Sequence, residues 1–410
     1  MRILYLSQYF PPEAGATQTR AYEMAHNWVL LGHSVTMLTE FPNHPSGIIP
    51  PQYKGKFIER TVMDGIEIIR VRVKASPVKN FRNRMLFYLS YMFNAILAGI
   101  FLAHERYHLL YASSPPLFVG GAAFVLSYIK HFPLIFEVRD LWPESAVAIG
   151  ELSNPRVISL ATKLEEMCYH RAKLVVVVTQ GIYNRLLKRG ISPEKLIVVR
   201  NGANIDMFTY IKSERERIRR EMGLEDKFIA IYAGIHGLAQ GLETIIETAR
   251  VLQGNPRIHF LLVGDGPKKQ EILALAKHNN LLNLTFVPEK PRELIPAYLS
   301  ASDIALIPLR KAEIFKGAFP SKIFDAWACE RPVLLSIDGE ARQVVEAVNG
   351  GVYIAPEDPQ AMAETLINLL DSPKDLDAMG KNGREYTLQN HSRKVLAEKL
   401  IFYLEKLLMQ

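Results

Sequence analysis

The stretch Phe260-Leu261-Leu262-Val263-Gly264-Asp265-Gly266-Pro267 reads as a buried strand that ends in a glycine turn and opens a helix. An unbroken apolar run offers no polar face to water, so its strand is covered on both sides, as in a parallel sheet. A second stretch, Gly317-Ala318-Phe319-Pro320-Ser321-Lys322-Ile323-Phe324-Asp325-Ala326, reads as a Pro-Ser helix start. Lys322 falls in its first turn and Asp325 one turn on. Backbone N–H groups and fixed charge gathered at helix N-termini make a place for phosphate.

Working outward, the same alternation fills the chain. Apolar runs at 3–7, 35–39, 66–73, 134–138, 174–179 and 195–200 predict strands. Helical spacing predicts helices at 17–31, 120–129 and 157–170, the first ended by Gly32. Asn201-Gly202 is a turn signal, and the charged run 212–217 reads as a solvated helix at a domain junction. The cycle then restarts with strands at 228–233, 258–263, 284–287, 303–308 and 332–336 and helices at 242–252, 268–278 and 321–328. This is an α/β chain of two successive doubly wound parallel sheets. An amphipathic stretch at 393–408 has no strand partner.

Size and composition agree. The 410 residues are too many for one ordinary core and suit two domains. At 49% apolar and 22% charged the chain is globular, not disordered. A formal charge of +7 favours anionic partners such as nucleotide phosphates or acidic lipid surfaces. No zinc knuckle, arginine-rich arm or aromatic-basic repeat points to nucleic acid. The two cysteines, Cys168 and Cys329, are far apart and fit a reducing compartment rather than a disulfide or zinc framework. The start, Met1-Arg2-Ile3-Leu4, is broken by Gln8 and Pro11 too soon for a signal peptide.

One segment needs a membrane decision. Residues 85–103 carry no charge, with Lys79, Arg82 and Arg84 before them and Glu105-Arg106 after. The length could span a bilayer. A strand-like run at 107–112 follows almost at once, so a span would split one α/β domain across the membrane. The expectation is a buried or surface-inserted helix that touches an anionic membrane surface.

Further motifs sit at the ends of predicted strands. They are Tyr9-Phe10-Pro11-Pro12-Glu13-Ala14-Gly15-Ala16, Arg139-Asp140-Leu141-Trp142-Pro143-Glu144, Asn201-Gly202 with Asp206 and Phe208, and Gly234-Ile235-His236-Gly237-Leu238-Ala239-Gln240-Gly241. In order and spacing, with the two opening stretches, they resemble retaining glycosyltransferases of family 4, in particular a branch that builds bacterial surface polysaccharide. The resemblance runs along nearly the whole chain. It implies the GT-B fold, two Rossmann-like domains facing a cleft. Residues 1–205 would bind the acceptor, 206–390 the nucleotide-sugar donor, and 391–410 would form a helix crossing back to the N-terminal domain.

The resemblance also assigns residues. Arg139 and Asp140 stand near the family's sugar-contacting histidine and become the catalytic candidates, with Glu144 beside them. Gly15, Gly237, Gly264, Asp265, Val287, Arg310, Ser321, Lys322 and Asp325 become donor-binding candidates. Val287 would read the base through its main chain. Asn201 and Phe208 match a domain-linking signature whose job is structural. The chain departs from the family twice. The glycine loop holds His236 and Gln240 where an Arg and a Lys usually meet the diphosphate, so Lys322 is the replacement cation, with Arg310 or Lys311 as alternates. Of the family's paired acids, the second falls on Asp325 and the first on Gly317, with Glu313 out of register. Asp325 is left to hold the ribose.

The expectation is therefore a retaining, metal-independent transferase that needs no cofactor. It would move a sugar from a UDP-sugar to a polyprenyl-diphosphate-linked saccharide, peripherally at the cytoplasmic face of a bacterial membrane. A UDP-sugar epimerase of the same fold, or a non-catalytic partner subunit with eroded motifs, stays open.

Overall fold

The computed structural model describes residues 1–13, 15–44, 46–78, 80–103, 106–148 and 150–409. Ala14, Lys79 and Glu105, named above, lie outside them. The chain forms two compact units, Met1–Arg200 with Arg393–Gln410, and Asn201–Ser392.

The first unit is built on eight strands: β1 (Arg2–Leu6), β2 (Ser34–Glu40), β3 (Ile58–Met63), β4 (Ile66–Val71), β5 (Leu109–Ser114), β6 (Leu134–Val138), β7 (Leu174–Val177) and β8 (Leu196–Val198). Their order is β3-β4-β2-β1-β5-β6-β7-β8. All neighbours run parallel except β3 and β4. That hairpin turns on Asp64 and Gly65, both at positive φ (49° and 79°), the backbone a two-residue turn needs to match strand twist. The edge strand β3 is charged and largely exposed, so no apolar run betrays it in the sequence.

Helices cover both faces. Phe81–Phe101 is one continuous helix, capped by the Asn80 side chain on the Asn83 N–H. Its inner face belongs to the unit: Tyr91 and Ala95 are fully buried, and the Tyr91 hydroxyl donates to the Leu38 carbonyl at 2.9 Å. On the other face, the terminal helix Arg393–Met409 packs against Ala16–Leu30. Leu396, Ala397 and Leu400 join Met24, Ala25 and Trp28 in one cluster, and Arg393 meets Glu23 at 2.6 Å, both buried.

The second unit has six strands, β9 (Phe228–Ala233), β10 (Ile258–Val263), β11 (Leu284–Val287), β12 (Ile304–Pro308), β13 (Val333–Ser336) and β14 (Gly351–Tyr353), in the order β11-β10-β9-β12-β13-β14, all parallel. The charged run at 212–217 belongs to helix Lys212–Met222, and it is not merely solvated. Arg215 and Arg219 both grip Asp303, each at 2.6 Å, and Asp303 Oδ2 also accepts the Ile229 N–H. The residue just before β12 thus ties this helix to β9.

Strand order decides where a ligand can sit. In each sheet the chain first builds outward on one side and then switches to the other. The switch falls between β1 and β5 in the first sheet and between β9 and β12 in the second. Ligands of open α/β sheets bind beyond the carboxyl ends of the strands at such points.

Candidate functional site

In the second unit, the loops after β9, β10 and β12 converge at the switch point. Gly234 (φ 146°), Gly264 (φ 141°) and Gly266 (φ 155°) adopt backbone that side chains rarely take. The loops are bonded to each other through their main chains. Gly234 N–H donates to the Val263 carbonyl at 2.9 Å, His236 N–H to Asp265 at 2.8 Å, and Lys268 N–H to His236 at 2.9 Å. A Cβ on Gly264 would collide with the Gly234 carbonyl oxygen, and one on Gly266 with the His236 backbone. Glycine is needed here for loop-against-loop packing.

Lys322 reaches this junction from the far side of β9. Its Nζ donates to the Tyr232 hydroxyl at 2.5 Å and lies 4.0 Å from the centre of that ring. A Cβ on Gly234 would strike the Lys322 ammonium, so the glycine makes room for the lysine. Burial pulls the Lys322 amine down to about 7, against the pull of Asp325 the other way. The Tyr232 hydroxyl donates its own hydrogen bond to the Ile235 carbonyl at 2.6 Å. Lys322 is held by an aromatic face and a hydroxyl, and among the described residues no carboxylate makes an ion pair with it. Such a cation suits an incoming anion.

A second cation reaches the same place, one the sequence reading passed over. Lys269 Nζ donates to the Gly264 carbonyl at 2.9 Å and sits 5.0 Å from the Phe286 ring. The signal was present in Gly266-Pro267-Lys268-Lys269, directly after the glycine turn. Between the two lysines lies His236, fully buried, with neither ring nitrogen meeting a partner among the described residues. Burial first, then Lys269 and Lys322, push it down to about 4. The ring is neutral, as a site with two cations requires.

Asp325 is one turn beyond Lys322. Its Oδ1 lies 3.8 Å from Arg292 Nη2, and Arg292 is stacked 4.8 Å from the Phe208 ring, itself in the core. Lys322 and Asp325 border a cavity of about 30 Å³ floored by Ile231, Ala233, Ile307 and Leu299, room for about one water.

Several expectations change. Arg310 is not a spare cation: its guanidinium is taken by the Leu238 carbonyl and the Glu243 carboxylate, each at 2.8 Å. Helix Lys322–Ala328 is only seven residues long, and the Ser321 side chain makes no cap bond. Its first amides turn back to Pro320 and Ser321 carbonyls, so the Lys322 side chain, not the helix end, is what this segment offers. The Val287 carbonyl accepts the Gly264 N–H at 3.1 Å, which fixes the loop against β11. Asp265 is exposed and bonds the Gly266 N–H at 2.6 Å. Gly237 opens a single turn, Leu238–Gln240.

In the first unit, Gly15 (φ 150°) opens helix Ala16–Leu30 with no side-chain cap. Arg139, just past β6, donates to the Thr17 hydroxyl at 2.5 Å. Asp140 is exposed and accepts from Ser145 at 2.7 Å. Gly15, Arg139 and Asp140 thus share one edge of this sheet. Glu144 is paired with Arg185, which leaves it a surface role. Beneath lies a network the sequence reading missed. Buried Arg20 donates through Nε (2.9 Å) and Nη2 (2.7 Å) to Glu137 Oε1, Tyr111 donates to the same oxygen, and Ser113 to Oε2. Burial alone would raise the Glu137 carboxyl, but the Arg20 charge and these bonds hold it down at about 2. The signal was a lone glutamate in an apolar buried strand, which demands a cation. Among the described residues no group of three or more His, Cys, Asp and Glu is placed to hold a metal ion.

The chain is similar to known proteins over its whole length. WcaI of Escherichia coli K12, named for a glycosyl transferase of colanic acid biosynthesis, is 23% identical over 383 residues, covering 91% of this chain and 93% of the relative. Sucrose-phosphate synthase of Thermosynechococcus elongatus superposes with a TM-score of 0.79 at 20% identity over 99% of this chain and 98% of its own. HepE of Anabaena, solved with UDP and glucose, gives 0.75 at 18% over 98% and 99%. These structures show the GT-B fold. The family model "Glycosyl transferase 4-like domain" matches residues 15–202, and "Glycosyl transferases group 1" matches residues 214–386. Matched by one model in each half, the chain belongs to the group 1, family-4-like glycosyl transferases and is a glycosyltransferase.

Proposed function

We propose that this transferase moves a sugar from a UDP-sugar, with retention of configuration, to a polyprenyl-diphosphate-linked saccharide in the assembly of a bacterial surface polysaccharide. The observation that carries the reading is the placement of two lysines on the interlocked glycine loops at the second sheet's switch point: Lys322 on the Tyr232 hydroxyl beside Gly234, and Lys269 on the Gly264 carbonyl, both near His236. Two cations beside tightly turned main chain fit the diphosphate of a nucleotide sugar. HepE, of the same fold, was solved with UDP and glucose, and WcaI is named for colanic acid biosynthesis.

In this reading Asp325 accepts the ribose hydroxyls, and the lysines meet the charge that develops as the sugar–phosphate bond breaks. No metal is then required. The acceptor hydroxyl attacks from the face the diphosphate leaves, and the departing phosphate oxygen takes its proton. Arg139 and Asp140 stand at the carboxyl edge of the first sheet as the residues that meet the sugar. The enzyme works at the cytoplasmic face of the membrane, where the uncharged outer side of helix Phe81–Phe101, with Arg82 and Arg84 at its start, rests on the lipid surface.

The test is a panel of nucleotide sugars incubated with the purified protein, with and without bacterial lipid extract, following release of the nucleoside diphosphate. The reading predicts release from a UDP-sugar that depends on the lipid. Free epimer without lipid would overturn it in favour of an epimerase, and silence across the panel would favour a non-catalytic subunit.

A further inference from the structure

At the opposite edge of the first sheet from Gly15 and Arg139 there is a groove of about 840 Å³ between helices Leu117–Ile129 and Pro155–Arg171. Lys173 and Lys195, which help to line it, immediately precede β7 and β8. It therefore lies at the amino ends of the strands, away from the edge where transfer takes place. Its floor is apolar, with Phe124, Tyr128 and Met167. Tyr128 is 57% and Met167 45% exposed, much for side chains of this kind.

Around that floor stand four cations, Lys163, Arg171, Lys173 and Lys195, with His170 and one carboxylate, Glu166. Arg171 is fixed 4.4 Å from the Tyr128 ring and donates to the Ser127 carbonyl at 2.8 Å. Lys195 is fixed on the His170 carbonyl at 2.9 Å. Lys163 and Lys173 are exposed and make no ion pair among the described residues. Glu166, the acid in the lining, is paired with Arg189 at 2.6 Å through one oxygen, and its other oxygen lies 3.8 Å from His170, also in the lining. The groove therefore keeps four cations over an aromatic floor.

The helix packed on Leu117–Ile129 also carries apolar surface. Helix Phe81–Phe101 packs on Leu117–Ile129, with Gly99 against Leu126 and Met92 against Gly121. Its outer side presents Leu86, Leu89, Phe93, Leu97 and Phe101 in one stripe, with Phe93 62% and Phe101 63% exposed. A soluble surface rarely leaves so large an apolar patch uncovered. An apolar stripe beside a cationic groove has the chemistry of an anionic amphiphile, a phosphate group joined to an acyl chain.

We propose that this groove binds the headgroup of an anionic phospholipid, with its acyl chain directed toward the helix Phe81–Phe101 stripe. Charge complementarity selects this occupant: a neutral apolar partner has no use for four cations. The proposal rests on the membrane reading above, and the experiment separates the two.

Full-length protein is sedimented at low salt with vesicles of phosphatidylcholine alone and with phosphatidylglycerol added. Wild type is expected to pellet with the anionic vesicles only. The double variant Lys163→Glu/Lys173→Glu should bind them about tenfold or more weakly, from the loss and reversal of two near-surface cations. Phe93→Ser/Phe101→Ser should also lose binding. Both variants change exposed side chains, and both should bind UDP as wild type does. Equal binding to neutral and anionic vesicles, or full retention by the lysine variant, overturns the headgroup site while the membrane reading stands. Failure to pellet with any vesicle overturns both. A concentration-dependent dimer broken by the same substitutions would show that a second copy covers this face, and would overturn the proposal.

Discussion

Lys322→Met asks whether the lysine is a ligand group or a structural one, because the two roles move stability and affinity in opposite directions. The amine is held at about 7 by burial, well below the ordinary lysine range near 10.4. Below pH 7 folded and unfolded states are both charged there, and the folded state bears the full cost of the buried charge. Between pH 7 and about 10 the unfolded state binds more protons, so stability rises with pH over that window. Methionine removes the charge and fills the space, and Tyr232 keeps its bond to the Ile235 carbonyl. The ligand-free variant should melt higher than wild type at pH 7 and lack the pH-dependent rise. UDP should bind it more weakly by about 1.5–3 kcal/mol, the scale of a hydrogen bond to a charged group, or roughly 10- to 150-fold in Kd. In wild type, UDP affinity should fall by more than about tenfold between pH 7 and 9 as the free amine loses its proton, and the variant should lose that limb. Calorimetric titration and thermal melts from pH 6 to about 9 read both quantities. A variant that melts lower and binds UDP as wild type does would refute the reasoning and leave Lys322 a structural residue.

Other perturbations follow from the same geometry. Asp325→Asn should weaken UDP with little change in the ligand-free melting temperature, and 2′,3′-dideoxy-UDP should bind wild type poorly and barely distinguish the two proteins. Gly264→Ala forces a Cβ toward the Gly234 carbonyl at a strained φ, costing about 1–3 kcal/mol; denaturant melts should show it, together with lost UDP binding. Glu137→Gln leaves the Arg20 charge buried without its partner and should cost about 3–5 kcal/mol at pH 7. Because the Glu137 carboxyl is depressed to about 2, its stabilisation is complete above the unfolded value near 4.3 and lost as pH falls to 2. Denaturant melts of the variant should therefore show a flatter acid limb. Asp303→Asn releases Arg215 and Arg219 together and should lower the melting of the second unit without altering the sugar chemistry.

Where burial is two-sided, the chain announces its strands. β9 and β10 lie at the predicted residues because a covered parallel strand is near-continuously apolar, and β6 does so with its one acid, Glu137, held by Arg20. β3 was silent because an edge strand need not be apolar: Ile58-Glu59-Arg60-Thr61 carries charge into water, and its one local mark is the Asp64-Gly65 turn that follows it. The helix Lys212–Met222 misled for the converse reason, since its arginines are charged yet two of them point inward to Asp303.

The site divides the same way. The glycine loops, Lys322 and Asp325 were legible because backbone close approach and a lysine in a first helical turn are local features. The engagement of Arg310 with Leu238 and Glu243, the burial of His236 and the arrival of Lys269 at Gly264 depend on which loops interlock. No spacing along the chain records that.

The most direct test of the account is a single turnover with a UDP-sugar of defined anomeric configuration, labelled in the sugar, and a lipid-diphosphate saccharide acceptor. The label should appear in the organic phase, in a glycosidic bond with the donor's anomeric configuration, and Lys322→Met and Asp325→Asn should each suppress it. Label transferred with inverted configuration, or released only as free sugar or as an epimerised nucleotide sugar, would contradict the account.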